Sequence, residues 1–213
     1  MRYVTAARRR WVTAVSAAAV AVSLFAFTVL GFADPAAVAP IQELCDSLLA
    51  SMRAGSAKAP FAQRYDALAR SVDGALDLAT ILQVSVGPIW NTLSPDEHAA
   101  LMTAFRRYTV NSYLNSFDTF SGQKFVVSPD TRPSGTNQIV LTRIVPASGE
   151  GHEIDYVMRQ SSTGWLAVDV LSDGTISRVA TQRSDFRALV MRGGAPALLA
   201  TLQRKADDLA ESH

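Results

Sequence analysis

After residue 33, apolar positions recur along the chain with the period of an α-helix. Between residues 41 and 52 they fall at i, i+3, i+4, i+7, i+8 and i+11, which predicts an amphipathic helix that ends within residues 55–60. A second helix is predicted from Pro60 to a stop at Asp73-Gly74, and an almost wholly apolar segment follows at residues 76–84. The folded part of the chain is therefore expected to open with helices, the third of which is buried on most sides.

A longer helix is predicted from Ser94 to about Phe117. Ser94 is suited to the N-cap, Pro95 to the first turn, and Glu97 completes a capping box. The apolar stripe of this helix changes side at about 100° per residue. One face carries Leu101, Ala104, Phe105 and Tyr108, and the nearly opposite face carries Val110, Tyr113, Leu114 and Phe117. We therefore expect this helix to be covered on two sides.

The pattern then changes to the period of a β-strand. Four segments rich in β-branched and aromatic residues are separated by short polar turns, at residues 125–127, 138–145, 153–159 and 165–171. In the third segment Ile154, Tyr156 and Met158 share one face, as in a sheet with a single buried face. Consecutive strands joined in this way predict an antiparallel meander.

Two further helices are predicted beyond Asp173-Gly174, at residues 177–190 and 195–209. Helices followed by a sheet and then by more helices predict an α+β fold, with the helices packed on a strongly twisted antiparallel four-stranded sheet. The sequence is 48% hydrophobic and has no long linker after residue 33, so residues 34–213 are expected to form one domain.

Residues 1–33 have a different character. Four arginines lead into an uncharged apolar run at residues 11–33, which ends in Gly31-Phe32-Ala33 before Asp34. A basic head, an apolar middle and a small-residue end are the three parts of a secretory signal, with cleavage expected after Ala33. The run also exceeds the roughly 18 residues that suggest a membrane span, so an uncleaved anchor is the alternative. Either interpretation places residues 34–213 outside the inner membrane.

Charge disfavours a nucleic-acid partner. The four leader arginines are the only basic residues before Asp34, so residues 34–213 keep 16 of the 20 basic residues and all 19 acidic ones, a net charge of about −3. No basic stripe with interleaved aromatic residues is present to neutralise phosphates. Cys45 is the single cysteine, which excludes an internal disulfide, and we expect it to be a small buried residue on a helix face.

The sequence contains no motif that indicates catalysis, a metal or a cofactor. The three histidines, His98, His152 and His213, lack metal-ligand spacing, and the nucleophile elbow, the P-loop and the dinucleotide fingerprint are absent. Asp169 is notable because it lies between two valines in a strand, where a carboxylate needs partners. Those partners are expected to be either an arginine, Arg178 or Arg183, or a cluster of backbone donors.

Large apolar side chains are abundant, and a curved sheet under several helices can enclose an apolar pocket. Short motifs occur in a defined order at Asp77-Leu78-Ala79, Gly87-Pro88-Ile89-Trp90, residues 105–113, Gly122-Gln123-Lys124-Phe125-Val126-Val127, residues 154–158 and Gly164-Trp165-Leu166-Ala167-Val168-Asp169-Val170. Together they resemble the MlaC (toluene-tolerance) family over residues 40–205. Within that family the chain is most similar to the hopanoid-associated HpnM branch, chiefly in residues 121–125 and in residues 175–178 and 182–186.

The resemblance implies a periplasmic carrier, not an enzyme, that holds lipid tails in a cavity between helices and a twisted sheet. It implies that the carrier shuttles a hopanoid or a phospholipid between an inner-membrane lipid transporter complex of the ABC type and an outer-membrane acceptor. Moving an acyl chain of about 16 methylenes through water costs about 13 kcal/mol at about 0.8 kcal/mol each, a barrier that a cavity removes without acid, base or metal. The residues expected to contact the lipid are Trp90, Phe105, Tyr113, Phe117, Tyr156, Met158, Trp165, Val168 and Leu189.

Two alternatives remain open at this point. An exported NTF2-like enzyme would share the mixture of helices and curved sheet, and its pocket would contain converging polar side chains, for which Asp169 and Tyr156 are the candidates. A membrane-anchored docking subunit of a lipid-transport complex would keep residues 11–30 in the membrane and would bind proteins through a domain with no cavity.

Overall fold

The structure, a computed structural model, describes residues 34–212, so the predicted signal or anchor lies outside the described residues. The described elements are α1 (Pro35–Ser56), α2 (Phe61–Ala75), α3 (Leu78–Val86), a 3-10 helix (Gly87–Thr92), α4 (Pro95–Ser116), β1 (Lys124–Ser134), β2 (Asn137–Val145), β3 (His152–Ser161), β4 (Gly164–Ser172), β5 (Ile176–Ser177) and α5 (Arg178–Glu211). The α+β prediction is confirmed. Within residues 34–212, no helix combines the length and the apolar character needed to cross a membrane.

Side-chain caps set the first residue of two long helices. The Asp34 carboxylate accepts hydrogen bonds from the backbone N–H groups of Ala36 at 3.2 Å and Ala37 at 3.3 Å, so α1 begins earlier than position 41 and contains Pro40. At α4 the predicted capping box is confirmed. The Ser94 hydroxyl accepts from the Glu97 N–H at 3.3 Å, and the Glu97 carboxylate accepts from the Ser94 N–H at 2.8 Å.

The core lies between the helices and one face of the sheet. From α1 it receives the predicted stripe, including Ile41, Leu44 and Leu48, each with no exposed surface. Cys45 is a free thiol in the same stripe, and burial, followed by the neighbouring Asp46 charge, raises its pKa to about 12. The predicted structural role of Cys45 is therefore confirmed, because such a thiol stays protonated and packs as a small apolar group.

Helix α4 is buried on two sides, as predicted. On one side the Phe105 ring meets the Phe186 ring of α5 edge to face, with centroids 6.1 Å apart. On the other side Val110 and Leu114 are fully buried. Between them, the Asn111 side-chain amide donates to the backbone oxygen of Ala206 at 2.8 Å and ties α4 to the far part of α5.

The sheet has five strands in the order β1-β2-β3-β4-β5, all antiparallel to their neighbours, so the prediction of four strands is wrong. The added strand is the two-residue β5, which pairs with Leu171 and Ser172. A tight turn with positive φ at Asp173 (51°) and Gly174 (68°) reverses the chain after β4. A strand of two residues is too short to produce a periodic signal, which is why the pattern did not predict it.

The first strand is longer than predicted. Residues 129–135 were expected to form a turn, yet β1 continues to Ser134 and includes Pro129 and Pro133. Proline is tolerated there because β1 is an edge strand, where an absent N–H breaks no ladder. The register shifts between Val127 and Thr131, which accommodates the irregular segment.

The last helix is bent where two helices were predicted to meet. Gly193 (φ −156°, ψ 22°) and Gly194 (φ 67°, ψ −164°) are not helical, and Pro196 follows them. They divide α5 into a first arm, residues 178–192, and a second arm, residues 195–211. A side chain is strongly disfavoured at the backbone angles of Gly194, so this glycine allows the two arms to take different directions.

We expect Gly194→Ala to lower the free energy of unfolding by about 1–3 kcal/mol, because alanine disfavours this conformation. Gly74→Ala is the matched control, since Gly74 lies in α2 and a Cβ there would meet nothing outside its own helix within 4 Å. The control should be neutral or stabilising by up to about 1 kcal/mol. Urea unfolding of both variants measures the difference, and equal losses would contradict the role assigned to Gly194.

Candidate functional site

A cavity of about 300 Å³, partly open to solvent, lies among α3, α4, the first arm of α5 and the buried face of the sheet. Ligand pockets in proteins fall at about 300–1,000 Å³, so this cavity is at the small end of that range. Its lining is largely apolar. The residues on its wall are Leu76, Leu78, Ile81, Phe105, Tyr108, Thr109, Ser112, Tyr113, Ser116, Phe117, Ile154, Val170, Ser172, Arg178, Val179 and Gln182.

Helix α4 forms one wall of the cavity through two adjacent rows of side chains. Within each row, successive residues are four positions apart, and such residues lie above one another on a helix. The first row is Phe105, Thr109, Tyr113 and Phe117, and the second is Tyr108, Ser112 and Ser116. The Tyr113 and Phe117 rings stack at 6.1 Å, and the Phe117 ring contacts that of Phe125 in β1 at 5.6 Å. The first row is thus mainly aromatic, and the second carries small hydroxyl side chains that leave space.

The opposite wall includes Leu76, Leu78 and Ile81, at and before the start of α3. Asp77 holds this start in place: its carboxylate accepts from the Thr80 N–H at 2.9 Å and from Arg159 of β3 at 2.8 Å. Burial alone would raise the pKa of Asp77, but the hydrogen bonds from Thr80 and Arg159 outweigh it and lower the pKa. The charged carboxylate therefore joins α3 to the sheet beside the cavity.

Below the aromatic row, the phenol groups of Tyr113 and Tyr156 lie close together, and each influences the pKa of the other. Tyr156, on β3, is 1% exposed. Burial raises the pKa of Tyr113 to about 12 and that of Tyr156 well above its ordinary value. Both phenols stay protonated at neutral pH, so this side of the cavity is uncharged.

Arg178 is the charged residue of the cavity wall. The ion pairs in the described part of the chain join other arginines to aspartates, and Arg178 takes part in none of them. Its neighbours on the wall, Gln182 and Ser172, are polar and uncharged. The cavity therefore combines an apolar interior with one unpaired guanidinium group.

Asp169 does not pair with an arginine in this structure. Its carboxylate accepts from the N–H groups of Val170 at 2.7 Å and Val179 at 3.1 Å and from the Ser177 hydroxyl. Of the two partners left open by the sequence, the backbone donors are the observed ones. Asp169 thereby joins β4 to the start of α5 and leaves the Arg178 guanidinium available.

Three of the nine predicted lipid contacts lie on the cavity wall: Phe105, Tyr113 and Phe117. Tyr156 lies beneath Tyr113, and Met158 is fully buried in the core on the same face of β3. The remaining four do not line the cavity. Trp165 and Leu189 pack against the core away from it, and Trp90 stacks on His98 with ring centroids 4.1 Å apart.

Val168 is displaced by a β-bulge. Val157 pairs with Asp169 and Met158 pairs with Ala167, so Val168 is the extra residue of β4. Beyond the bulge, Val170 and Ser172 lie on the cavity wall. An unbroken period-two pattern assigns Val168 to the same face as these two residues, and the extra residue breaks that alternation.

The hydropathy pattern does not single out the small and polar wall residues Thr109, Ser112, Ser116, Ser172, Arg178 and Gln182. The pattern highlights large apolar side chains, whereas a cavity forms where side chains are too small to fill the space. Helical spacing from Phe105 would have found Thr109. Within residues 34–212, no group of three or more His, Cys, Asp or Glu side chains is placed to hold a metal ion.

Comparison with known proteins gives two findings. The sequence model of the MlaC family, described as MlaC protein, matches residues 42–204. A solved structure of the phospholipid-binding protein from Ralstonia solanacearum, in complex with a phospholipid, is similar with a TM-score of 0.70 and 20% identity. The similarity covers 82% of this chain and 98% of that chain, so the two proteins share a fold.

We expect Tyr113→Phe to lower the free energy of unfolding by about 1–3 kcal/mol, because it removes the polar neighbour of the buried Tyr156 hydroxyl. The double variant Tyr113→Phe/Tyr156→Phe should cost less than the sum of the two single changes, since both hydroxyls are removed together. Urea unfolding of all four proteins gives the coupling. Strict additivity would contradict an interaction between the two hydroxyl groups.

Proposed function

This chain belongs to the MlaC family, and from that premise we propose that it is a carrier that holds lipid tails in the cavity beside α4 and performs no catalysis. The observation that carries the proposal is the largely apolar wall with a single unpaired cation, Arg178. Tail burial is worth about 0.8 kcal/mol per methylene, so an apolar cavity stabilises a lipid that water disfavours.

A phospholipid is the ligand that this wall suits best. Its tails would lie along the aromatic row of α4 and against Leu78 and Ile81, and its phosphate would meet Arg178. The phospholipid bound by the Ralstonia solanacearum protein supports this choice. A hopanoid is the alternative ligand, favoured by the resemblance of residues 121–125 to the HpnM branch.

The proposed site of action is the periplasm, reached through the export signal at residues 1–33. There the carrier would exchange lipid with an inner-membrane lipid transporter complex and an outer-membrane acceptor. Family membership and the basic, apolar and small-residue parts of residues 1–33 support this route.

An enzymatic role has less support. The polar pair that an NTF2-like enzyme would use, Asp169 and Tyr156, does not converge in the cavity. Asp169 is occupied by backbone N–H groups and Ser177, and Tyr156 is buried against Tyr113. Both side chains stabilise the fold, so neither is placed to act on a ligand.

We expect Thr109→Phe to reduce the lipid that copurifies with the protein by at least about ten-fold, because the added ring displaces several methylenes worth about 0.8 kcal/mol each. Thr103→Phe is the matched control: Thr103 is an exposed threonine on the same helix, outside the cavity. Native mass spectrometry and organic extraction measure the bound lipid. Protein that is always empty, or equal loss in both variants, would contradict the carrier.

We expect Arg178→Gln to weaken retention of a phospholipid by about five-fold, the effect of roughly 1 kcal/mol from a partly exposed charge pair. Arg70→Gln, at an exposed arginine on α2, removes the same charge elsewhere and should leave retention unchanged. Exchange of a fluorescent phospholipid gives both values. Retention unaffected by Arg178→Gln would exclude the phosphate contact and favour a ligand without phosphate.

A further inference from the structure

The first arm of α5 concentrates positive charge on a domain that is otherwise negative. It carries Arg178, Arg183, Arg187 and Arg192 and a single acid, Asp185, a net charge of about +3. Because residues 34–213 total about −3, the rest of the domain carries about −6. All four arginines are exposed, and within the described residues none forms an ion pair.

Exposed apolar side chains flank the same arm. Ile176, two residues before it, is 56% exposed, and Met191, near its end, is 75% exposed. Arg183, Arg187 and Met191 follow one another at intervals of four residues, so they form one row along the helix. Val179, Phe186 and Val190 of the same arm are buried in the core, so the exposed row lies beside this buried stripe.

The arm is also part of the cavity wall, through Arg178, Val179 and Gln182. Any surface that contacts the arm is therefore brought next to the cavity. A lipid that enters or leaves would then travel a short distance.

We propose that the outer face of this arm, defined as Arg183, Arg187 and Met191 together with Ile176 just before the arm, docks on an anionic membrane surface. Clustered basic residues are attracted to anionic lipids, and isolated apolar side chains among them insert at the level of the headgroups. The negative remainder of the domain is repelled, so the field orients the arm toward the membrane. The purpose of docking, lipid exchange, rests on the proposed function, but docking itself can be measured separately.

A membrane fits this face better than an acidic protein does. Ile176 and Met191 are about 15 residues apart in sequence, at opposite ends of the arm. A protein interface uses a contiguous apolar core with a polar rim, whereas a lipid surface accepts single apolar anchors. The arm is positively charged and anionic lipids are negatively charged, and this charge complementarity favours a membrane as the partner.

The test is cosedimentation of the exported protein with vesicles of phosphatidylcholine alone or with an equal part of phosphatidylglycerol. The variant is Arg183→Gln/Arg187→Gln. Its control is Arg70→Gln/Arg204→Gln, which removes two exposed arginines that also lack ion pairs in the described residues. Both proteins carry the same N-terminal segment, so any contribution from residues 1–33 cancels.

We expect the variant to bind phosphatidylglycerol vesicles at least ten-fold more weakly than the control, since each basic residue near an anionic surface contributes about five-fold. Added salt should weaken binding of the control. Equal binding by variant and control, or equal binding of the control to both kinds of vesicle, would overturn docking through this face. So would an absence of vesicle binding, which would leave an acidic protein as the partner.

The same preparations separate this proposal from the carrier. Protein that contains extracted lipid but ignores anionic vesicles contradicts docking alone. Protein that is empty in every preparation but binds phosphatidylglycerol vesicles through Arg183 and Arg187 contradicts the carrier and supports docking.

Discussion

The cavity depends on helix α4 being held on both sides while it presents the small side chains of Thr109, Ser112 and Ser116 to the cavity. Leu101 and Phe105 fix one side of the helix, and Val110 and Leu114 fix the other. The Asn111 amide bonded to α5 adds a directional contact. A protein interior normally repacks to fill a void when a helix is able to shift. Contacts on two faces prevent α4 from shifting, so the space beside Ser112 and Ser116 remains.

The sheet reaches the cavity through two irregularities. The bulge at Val168 changes which residues of β4 face inward, so that Val170 and Ser172 line the cavity. The tight turn after β4 then leads into β5 and the start of α5, where the Val179 N–H donates to the Asp169 carboxylate of β4. The bulge and the turn lie within the same short segment of chain. Together they position the first arm of α5, which forms part of the cavity wall.

The features that the sequence could predict are those that produce a regular hydrophobic pattern or a recognisable local motif. The helices, the capping box and the buried face of β3 follow from hydrophobic periodicity and local sequence signals. Phe105 and Phe117, two of the residues predicted to contact lipid, lie on the cavity wall. Periodicity cannot place a single inserted residue, so Val168 was assigned to a continuous face. It also cannot detect a two-residue strand or a cavity that forms beside small side chains. For Asp169, the sequence left open either an arginine such as Arg178 or a set of backbone donors. The sequence could not decide between them, because backbone N–H groups near a carboxylate leave no signal in the residue types.

The first arm of α5 contributes both to the cavity wall and to the exposed basic surface because its arginines point in different directions around the helix. At about 100° per residue, Arg183 and Arg187 lie about 140° and 180° around the helix from Arg178. Arg178 can therefore face the cavity while the other two face solvent, even though all three have the same chemistry. The break at Gly193 and Gly194 ends this arrangement after residue 192 and lets the second arm pack against α4 independently. The cation at the cavity and the basic outer face are thus consequences of the same arm, which ends at the bend.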